Sequence, residues 1–147
     1  MKRWVDYIWV GCGWLIVDTN NRILLIKRTN KTQGGGWWFW SRPGGTVEFW
    51  ETIEDAVIRE IKEELNIDVE LFGPKFYAND IRKEDWILKH WFTWGRFARI
   101  IWGKLTNMEP EKHDAVEWFS LDQLPEHINE YTKQSIEEYK AYITLFC

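Results

Sequence analysis

At 147 residues, with 19 lysines and arginines against 23 aspartates and glutamates for a net charge of −4, the chain suits one domain, residues 1–147, able to bury about two-thirds of the surface its unfolded form exposes. The acidic balance argues against a protein held to a nucleic-acid polymer by a broad basic face, so a polyanionic ligand would need bound cations to supply what the side chains do not. No run is long and apolar enough to span a membrane, and the two cysteines, Cys12 and Cys147, have no paired spacing that suggests zinc or a disulfide framework, which fits a reduced, cytoplasmic setting.

Met1-Lys2-Arg3 before an apolar stretch resembles the start of a signal peptide, but Asp6 interrupts it and no small-residue cleavage site follows. Residues 4–17 are predicted to form a strand, with Val10, Cys12, Trp14 and Ile16 on one face and Trp9, Gly11, Gly13, Leu15 and Val17 on the other. Both faces carry apolar residues, so both are expected to be buried. Asp18-Thr19-Asn20-Asn21 is a turn, and residues 22–28, with the apolar run Ile23-Leu24-Leu25-Ile26, form a second strand expected to pair with the first as a hairpin. Lys27 and Arg28 close it, and positive charge therefore collects just before the glycine-rich run Gln33-Gly34-Gly35-Gly36.

Gly44-Gly45 opens a loop that feeds a helix. Thr52 is the N-cap, Glu54 and Asp55 lie in the first turn where the dipole favours anions, and apolar residues at 53, 57, 61 and 65 repeat at i, i+4. Asn66 stops it. Spacings of three and four residues bring Glu60, Glu63 and Glu64 onto one face, and Glu64 projects close to Val57 and the apolar ladder. A surface helix would normally hold its charges opposite that ladder. The bland alternative is an exposed acidic face, because like-charge pairs on a helix lose only about 0.2–0.5 kcal/mol each.

Residues 69–78 follow as a strand broken by Gly73-Pro74, then a polar tip over 79–85, and then a long aromatic strand over 86–102 with a kink at Gly95. That strand carries aromatics on both faces and is compatible with a homodimer. The polar loop over 103–115 contains Glu109-Pro110-Glu111-Lys112-His113-Asp114, and an amphipathic helix begins at about Asn129 with Ile136, Tyr139 and Ile143 on one stripe.

The spacing Gly45, five residues, Glu51, seven residues, Arg59-Glu60-Ile61, one residue, Glu63-Glu64, one residue, Asn66-Ile67 resembles the signature box of the Nudix hydrolases. Asn66 stands where the family usually has glycine, a mild departure because asparagine also tolerates a left-handed helix end. Trp40-Ser41-Arg42-Pro43-Gly44-Gly45 is similar to the family's entry into the box, with Arg42 replacing an aliphatic residue. The segment from Glu117 to Pro125 is similar to the strand-to-helix connection of MutT-like nucleoside triphosphate pyrophosphatases.

The resemblance implies an α/β fold, a Nudix α/β/α sandwich with a central mixed β-sheet between helices. It implies metal-dependent hydrolysis of a phosphoanhydride in a nucleoside triphosphate or another nucleoside diphosphate-X compound. Glu60, Glu63 and Glu64 with the Gly44 carbonyl would hold Mg2+ or Mn2+, hard cations suited to oxygen ligands, and Glu60 and Glu63 would be catalytic, Glu60 as the base that takes a proton from water. Glu51 and Arg59 would pin the loop to the helix, while Gly45 lets the backbone approach closely. Lys27, Arg28 and Trp40 are candidate substrate contacts, strand-end cations being otherwise commonly solvated. Glu111, His113 and Asp114 are candidates for a further carboxylate or a base-recognising side chain.

Twelve tryptophans are unusual for a natural core, since each buried indole N–H needs a partner. Trp50 stands where similar sequences carry glycine, and Trp37-Trp38-Phe39-Trp40 places four aromatics in a row. Two explanations remain open. One is a naturally aromatic base-stacking pocket; the other is an engineered Nudix scaffold whose tryptophans bind a designed partner, protein or small molecule, with catalysis incidental or lost. An exposed contiguous patch would favour the binder, and burial around the acidic helix the enzyme.

Overall fold

The structure is a computed structural model that describes residues 8–29, 39–84 and 86–147. The expected start of the first strand before residue 8, Lys31, the glycine run at 33–36, and Trp37 and Trp38 lie outside the described residues. Strands β1 (Trp9–Ile16), β2 (Ile23–Arg28), β3 (Trp40–Ser41) and β4 (Gly44–Thr46) precede helix α1 (Ile53–Leu65). Strands β5 (Ile67–Glu84), β6 (Ile87–Gly103) and β7 (His113–Phe119) then lead to helix α2 (Glu130–Phe146).

Four strands form a mixed sheet in the order β4-β1-β6-β5, with β1 parallel to β6 and the other pairs antiparallel. A smaller antiparallel sheet has the order β3-β2-β7. The expected β1–β2 hairpin is therefore corrected: β6 and β4 occupy both edges of β1, and a single bridge, Val17 to Ile23, joins it to β2. The two strands instead lie centrally in neighbouring sheets, where each can bury both faces.

Alternation along β1 and β2 divides the core into two layers, as the period of two requires. Cys12, Trp14, Ile16, Leu24 and Ile26 pack with Ala56, Val57, Ile61 and Leu65 of α1. Leu15, Val17, Ile23 and Leu25 pack with Phe97 and with Ile136 and Tyr139 of α2. The helices thus cover opposite faces of the strands, the expected α/β/α arrangement.

Local chemistry sets both helix starts. Thr52 Oγ1 accepts from the Asp55 amide at 3.1 Å, and Asn129 Oδ1 accepts from the Thr132 amide at 3.1 Å. Asn66 ends α1 in the left-handed region, φ 56°, which explains how asparagine fills a position the family gives to glycine.

Gly73-Pro74 does not break the strand. It makes a bulge, with Phe72 opposite Phe97 but Phe76 opposite Gly95, and β5 continues through the expected polar tip to Glu84. The pairing of β6 with β1 runs unbroken through Gly95, and Gly95 makes room. A Cβ there would overlap the Phe76 ring and stand 2.7 Å from Arg42 Nη1, and one on Gly13 would meet the same guanidinium at 2.7 Å. Arg42 is 3% exposed, with its charge 5.7 Å from the Phe76 ring centre and 5.5 Å from that of Tyr131.

Candidate active site

The site is built on α1 and the loop that enters it. Arg59 Nε donates to Glu51 Oε2 at 3.0 Å and Nη2 to Glu51 Oε1 at 2.7 Å, while Nη2 also reaches the Thr46 carbonyl at 3.2 Å. The Glu48 amide donates to Glu51 Oε1 at 2.7 Å. Together these bonds tie β4 and the following loop to the middle of the helix. They also hold the Glu51 carboxyl below the usual carboxylate range, the Arg59 bonds contributing most.

The same guanidinium reaches Glu60 Oε1 at 3.0 Å and Glu63 Oε2 at 3.3 Å. Glu60 is held against β4: a Cβ on Gly45 would stand 2.5 Å from Glu60 Oε1, so this approach requires glycine. Gly44 and Gly45 lie opposite Gly13 and Cys12 of β1. Burial raises the Glu60 carboxyl above its ordinary range, the bond from Arg59 opposes this, and the charges of Glu63 and Glu109 add to it. Glu63 is the outermost of the three carboxylates, 58% exposed.

Glu64 points the other way, into the protein. It is 9% exposed and its Oε2 has no hydrogen-bond partner. Burial first, then the charges of Glu60 and Glu109, push its carboxyl up to about 8, with Arg28 and Lys112 pulling it back only in part.

Loop 104–112 delivers the facing groups. The Thr106 and Met108 amides donate to the Leu65 and Glu64 carbonyls at 3.0 and 2.9 Å, satisfying carbonyls that the end of α1 leaves free. The Lys112 and His113 amides return to the Glu109 carbonyl at 2.9 and 3.0 Å, and the Asn107 amide group closes on the His113 carbonyl at 2.9 Å. One ligand atom from each of Glu64, Glu109 and His113 consequently lies within 4.8 Å of the others. His113 is buried, its Nδ1 has no partner, and burial lowers its pKa, favouring the neutral imidazole.

Of the loop candidates, His113 enters the site, whereas Glu111 and Asp114 are exposed and outside this cluster. Glu109 was missed by the sequence reading; its i, i+4 relation to His113 across Pro110 was the available signal. Arg28 pairs in register with His113, which brings one predicted cation to the cluster. Lys27 instead lies over Trp40, 5.9 Å from its ring centre, and Trp40 packs edge-on against Phe119 at 4.9 Å.

The cluster of Glu64, Glu109 and His113 suits a divalent cation, with two carboxylates, a buried imidazole, and Glu64 Oε2 and His113 Nδ1 lacking partners, whereas Glu60 and Glu63 lie outside it. Trp50 does not cover it, being fully exposed with φ 69° at the tip of the loop. Among the described residues Trp14 is buried, and Trp86 and Trp102 are exposed near opposite ends of β6, roughly 50 Å apart along an extended strand. No helix of the described residues is long and apolar enough to cross a membrane.

Comparison with known proteins places this geometry. The NUDIX domain model matches residues 9–140. The NAD-capped RNA hydrolase NudC of Pseudomonas aeruginosa is 31% identical over 113 residues, covering 76% of this chain and 36% of that protein. The ADP-ribose pyrophosphatase of Methanocaldococcus jannaschii is 50% identical over 52 residues, 35% of this chain and 29% of that protein. The chain thus spans about a third of the length of these curated relatives. The crystal structure of a MutT NUDIX hydrolase from Burkholderia pseudomallei superposes with a TM-score of 0.74 at 35% identity, covering 90% of this chain and 98% of that one. With the family model spanning most of its length and the acidic helix, glycine entry and pinning ion pair all in register, the chain belongs to the Nudix hydrolase family.

Proposed function

We propose that this single domain is a divalent-cation-dependent hydrolase of nucleoside diphosphate-X compounds, with nucleoside triphosphates as the preferred class. One observation carries the reading: Glu64 is a buried carboxyl whose Oε2 has no hydrogen-bond partner, flanked by Glu60 and Glu109, an arrangement that electrostatics resists until a cation is shared among the oxygens. The named relatives fit the substrate class, since NAD-capped RNA and ADP-ribose each contain a nucleoside diphosphate.

Glu60, Glu63 and Glu64, with the Gly44 carbonyl, would hold Mg2+ or Mn2+. When bound, the cation neutralises phosphate charge and lowers the pKa of water. Glu60 takes the proton of the attacking water: it is half-buried, its pKa is raised, and Arg59 fixes one of its oxygens. Arg59 and Glu51 position that carboxylate through the loop. Arg28, the register partner of His113, would meet substrate phosphate. Lys27 and Trp40, paired with one another, would contact the rest of the nucleotide.

Two free cysteines, one buried, fit a cytoplasmic setting. Among the described residues, the exposed Trp86 and Trp102 stand far apart instead of forming one patch, which is less favourable to the binding-scaffold alternative. The test is phosphate-product release from a panel of nucleoside triphosphates, nucleotide sugars and dinucleotides with Mg2+, with Mn2+ and with chelator. Chelator-sensitive turnover is expected. No turnover of any member by folded, metal-binding protein would overturn the reading in favour of the scaffold.

A further inference from the structure

We propose that Glu64, Glu109 and His113 form a mixed nitrogen–oxygen cation subsite that selects divalent transition-metal ions such as Mn2+ and Co2+ over Mg2+. It rests on the reading of Glu64 as a cation ligand and adds to it a nitrogen donor that the acidic helix cannot supply.

Geometry carries the assignment. One donor atom from each of the three residues lies within 4.8 Å of the other two, so a single ion could touch all of them. Two are buried polar groups lacking partners: Glu64 at 9% exposure with Oε2 unbonded, and His113 at 6% with Nδ1 unbonded. Buried polar atoms are nearly always paired, and one ion held by these two residues and the loop carboxylate would account for orphans on both. The site is also built rigidly, because loop 104–112 is bonded to the Glu64 and Leu65 carbonyls on one side and to Thr29 on the other, where the Thr29 amide reaches the Lys112 carbonyl at 2.9 Å.

Selectivity follows from the imidazole. Mg2+ prefers oxygen and strict octahedral geometry, whereas imidazole is a good ligand for first-row transition metals and Co2+ binds nitrogen–oxygen sites more tightly than Mn2+. The neighbouring cations also have a place in the arrangement. Lys112 Nζ holds Glu109 Oε1 at 2.8 Å, and Arg28 acts on both Glu64 and His113. They oppose a bare ion and would favour an ion that arrives with phosphate.

The experiment measures binding directly on the full chain, by isothermal titration with Mn2+, Co2+ and Mg2+, for the unmodified protein and for His113→Gln and Glu109→Gln. The expected result is at least about tenfold weaker Mn2+ and Co2+ binding in His113→Gln, with Mg2+ affinity changed far less, and weaker binding of all three ions in Glu109→Gln. An unchanged ratio of Mn2+ to Mg2+ affinity in folded His113→Gln would overturn the subsite. Should that variant fail to fold, the unmodified protein decides: sub-stoichiometric Mn2+ should broaden the ring resonances of His113 before those of the other two histidines, and equal broadening of all three would overturn the proposal. Selective broadening without turnover would keep the subsite and remove the hydrolase reading. Turnover without it would do the reverse.

Discussion

Arg59 and Glu51 meet fork to fork, with Nε to Oε2 at 3.0 Å and Nη2 to Oε1 at 2.7 Å, and the pair joins the loop after β4 to the centre of α1. Glu51→Ala removes both bonds and the acceptor of the Glu48 amide, leaving Arg59 free to draw Glu60 and Glu63 out of position. Both Tm and turnover should fall, the latter by about 100-fold if the carboxylates move by an ångström. A melt by circular dichroism, paired with a rate, checks this, and an unchanged Tm would contradict the pinning role.

Glu63→Gln should separate chemistry from stability. The side chain is 58% exposed and its bond to Arg59 is long, so Tm should move little, while cation-dependent turnover should largely disappear. Glu60→Gln should lower kcat by about 10²–10⁴-fold as expected for loss of a general base. Wild-type turnover in Glu63→Gln would exclude that residue as a needed ligand.

Glu64 makes the stability of the cation-free protein depend on pH. Its folded carboxyl is pushed up to about 8 from an ordinary value of 4.5, so between these values the folded chain retains a proton that the unfolded chain has lost, and stability falls as pH rises. His113 is shifted down from 6.5 and works in the opposite sense below that pH; above it the imidazole is neutral in both states. In chelator, stability should therefore fall by about 2 kcal/mol at most between roughly pH 6.5 and 8, read as a drop in Tm. Saturating Mn2+ or Glu64→Gln should flatten the curve. A Tm that is constant over that range in chelator would show that Glu64 ionises freely.

What the sequence revealed follows the range of the interactions involved. Helix α1 was legible from Thr52 to Asn66 because its cap, its apolar ladder and its left-handed end are set within a few residues. The β1–β2 hairpin was misjudged because the true neighbour of β1 is β6, whose register pairs Trp9 with Trp91 across the length of the chain. Glu109 was passed over for a related reason: its spacing from His113 was the one local signal, and what brings it to Glu64 is a turn bonded to the last carbonyls of α1. The bulge at Gly73-Pro74 was seen as punctuation, but only the partner strand tells a bulge from a break.

Asn66 offers a direct check on the helix end. Its φ of 56° is tolerable for asparagine and better for glycine. Asn66→Ala should lose about 1–2 kcal/mol, whereas Asn66→Gly should lie within about 0.5 kcal/mol of the parent, both read by urea unfolding. Equal losses in the two variants would mean that the Asn66 side chain, and not its backbone conformation, holds the end.

Arg42 stands where the family usually has an aliphatic residue, and the core has been hollowed to take it, with Gly13 and Gly95 leaving the space its guanidinium fills. Its amide is satisfied by Thr132 Oγ1 at 2.9 Å, but Nε and Nη1 have no partner, and burial lowers its pKa to about 10, so the charge persists at neutral pH. The rings of Phe76 and Tyr131, at 5.7 and 5.5 Å, return part of the lost hydration through their quadrupoles. A desolvated cation without a counter-ion among the described residues loses more than two such contacts restore, so Arg42→Met, which keeps most of the length and the apolar stem, should stabilise the protein by about 1–4 kcal/mol. The measurement is Tm and urea midpoint against the parent at neutral pH. A loss of stability beyond about 1 kcal/mol would show that the two rings outweigh desolvation and that the arginine is a net support of the core.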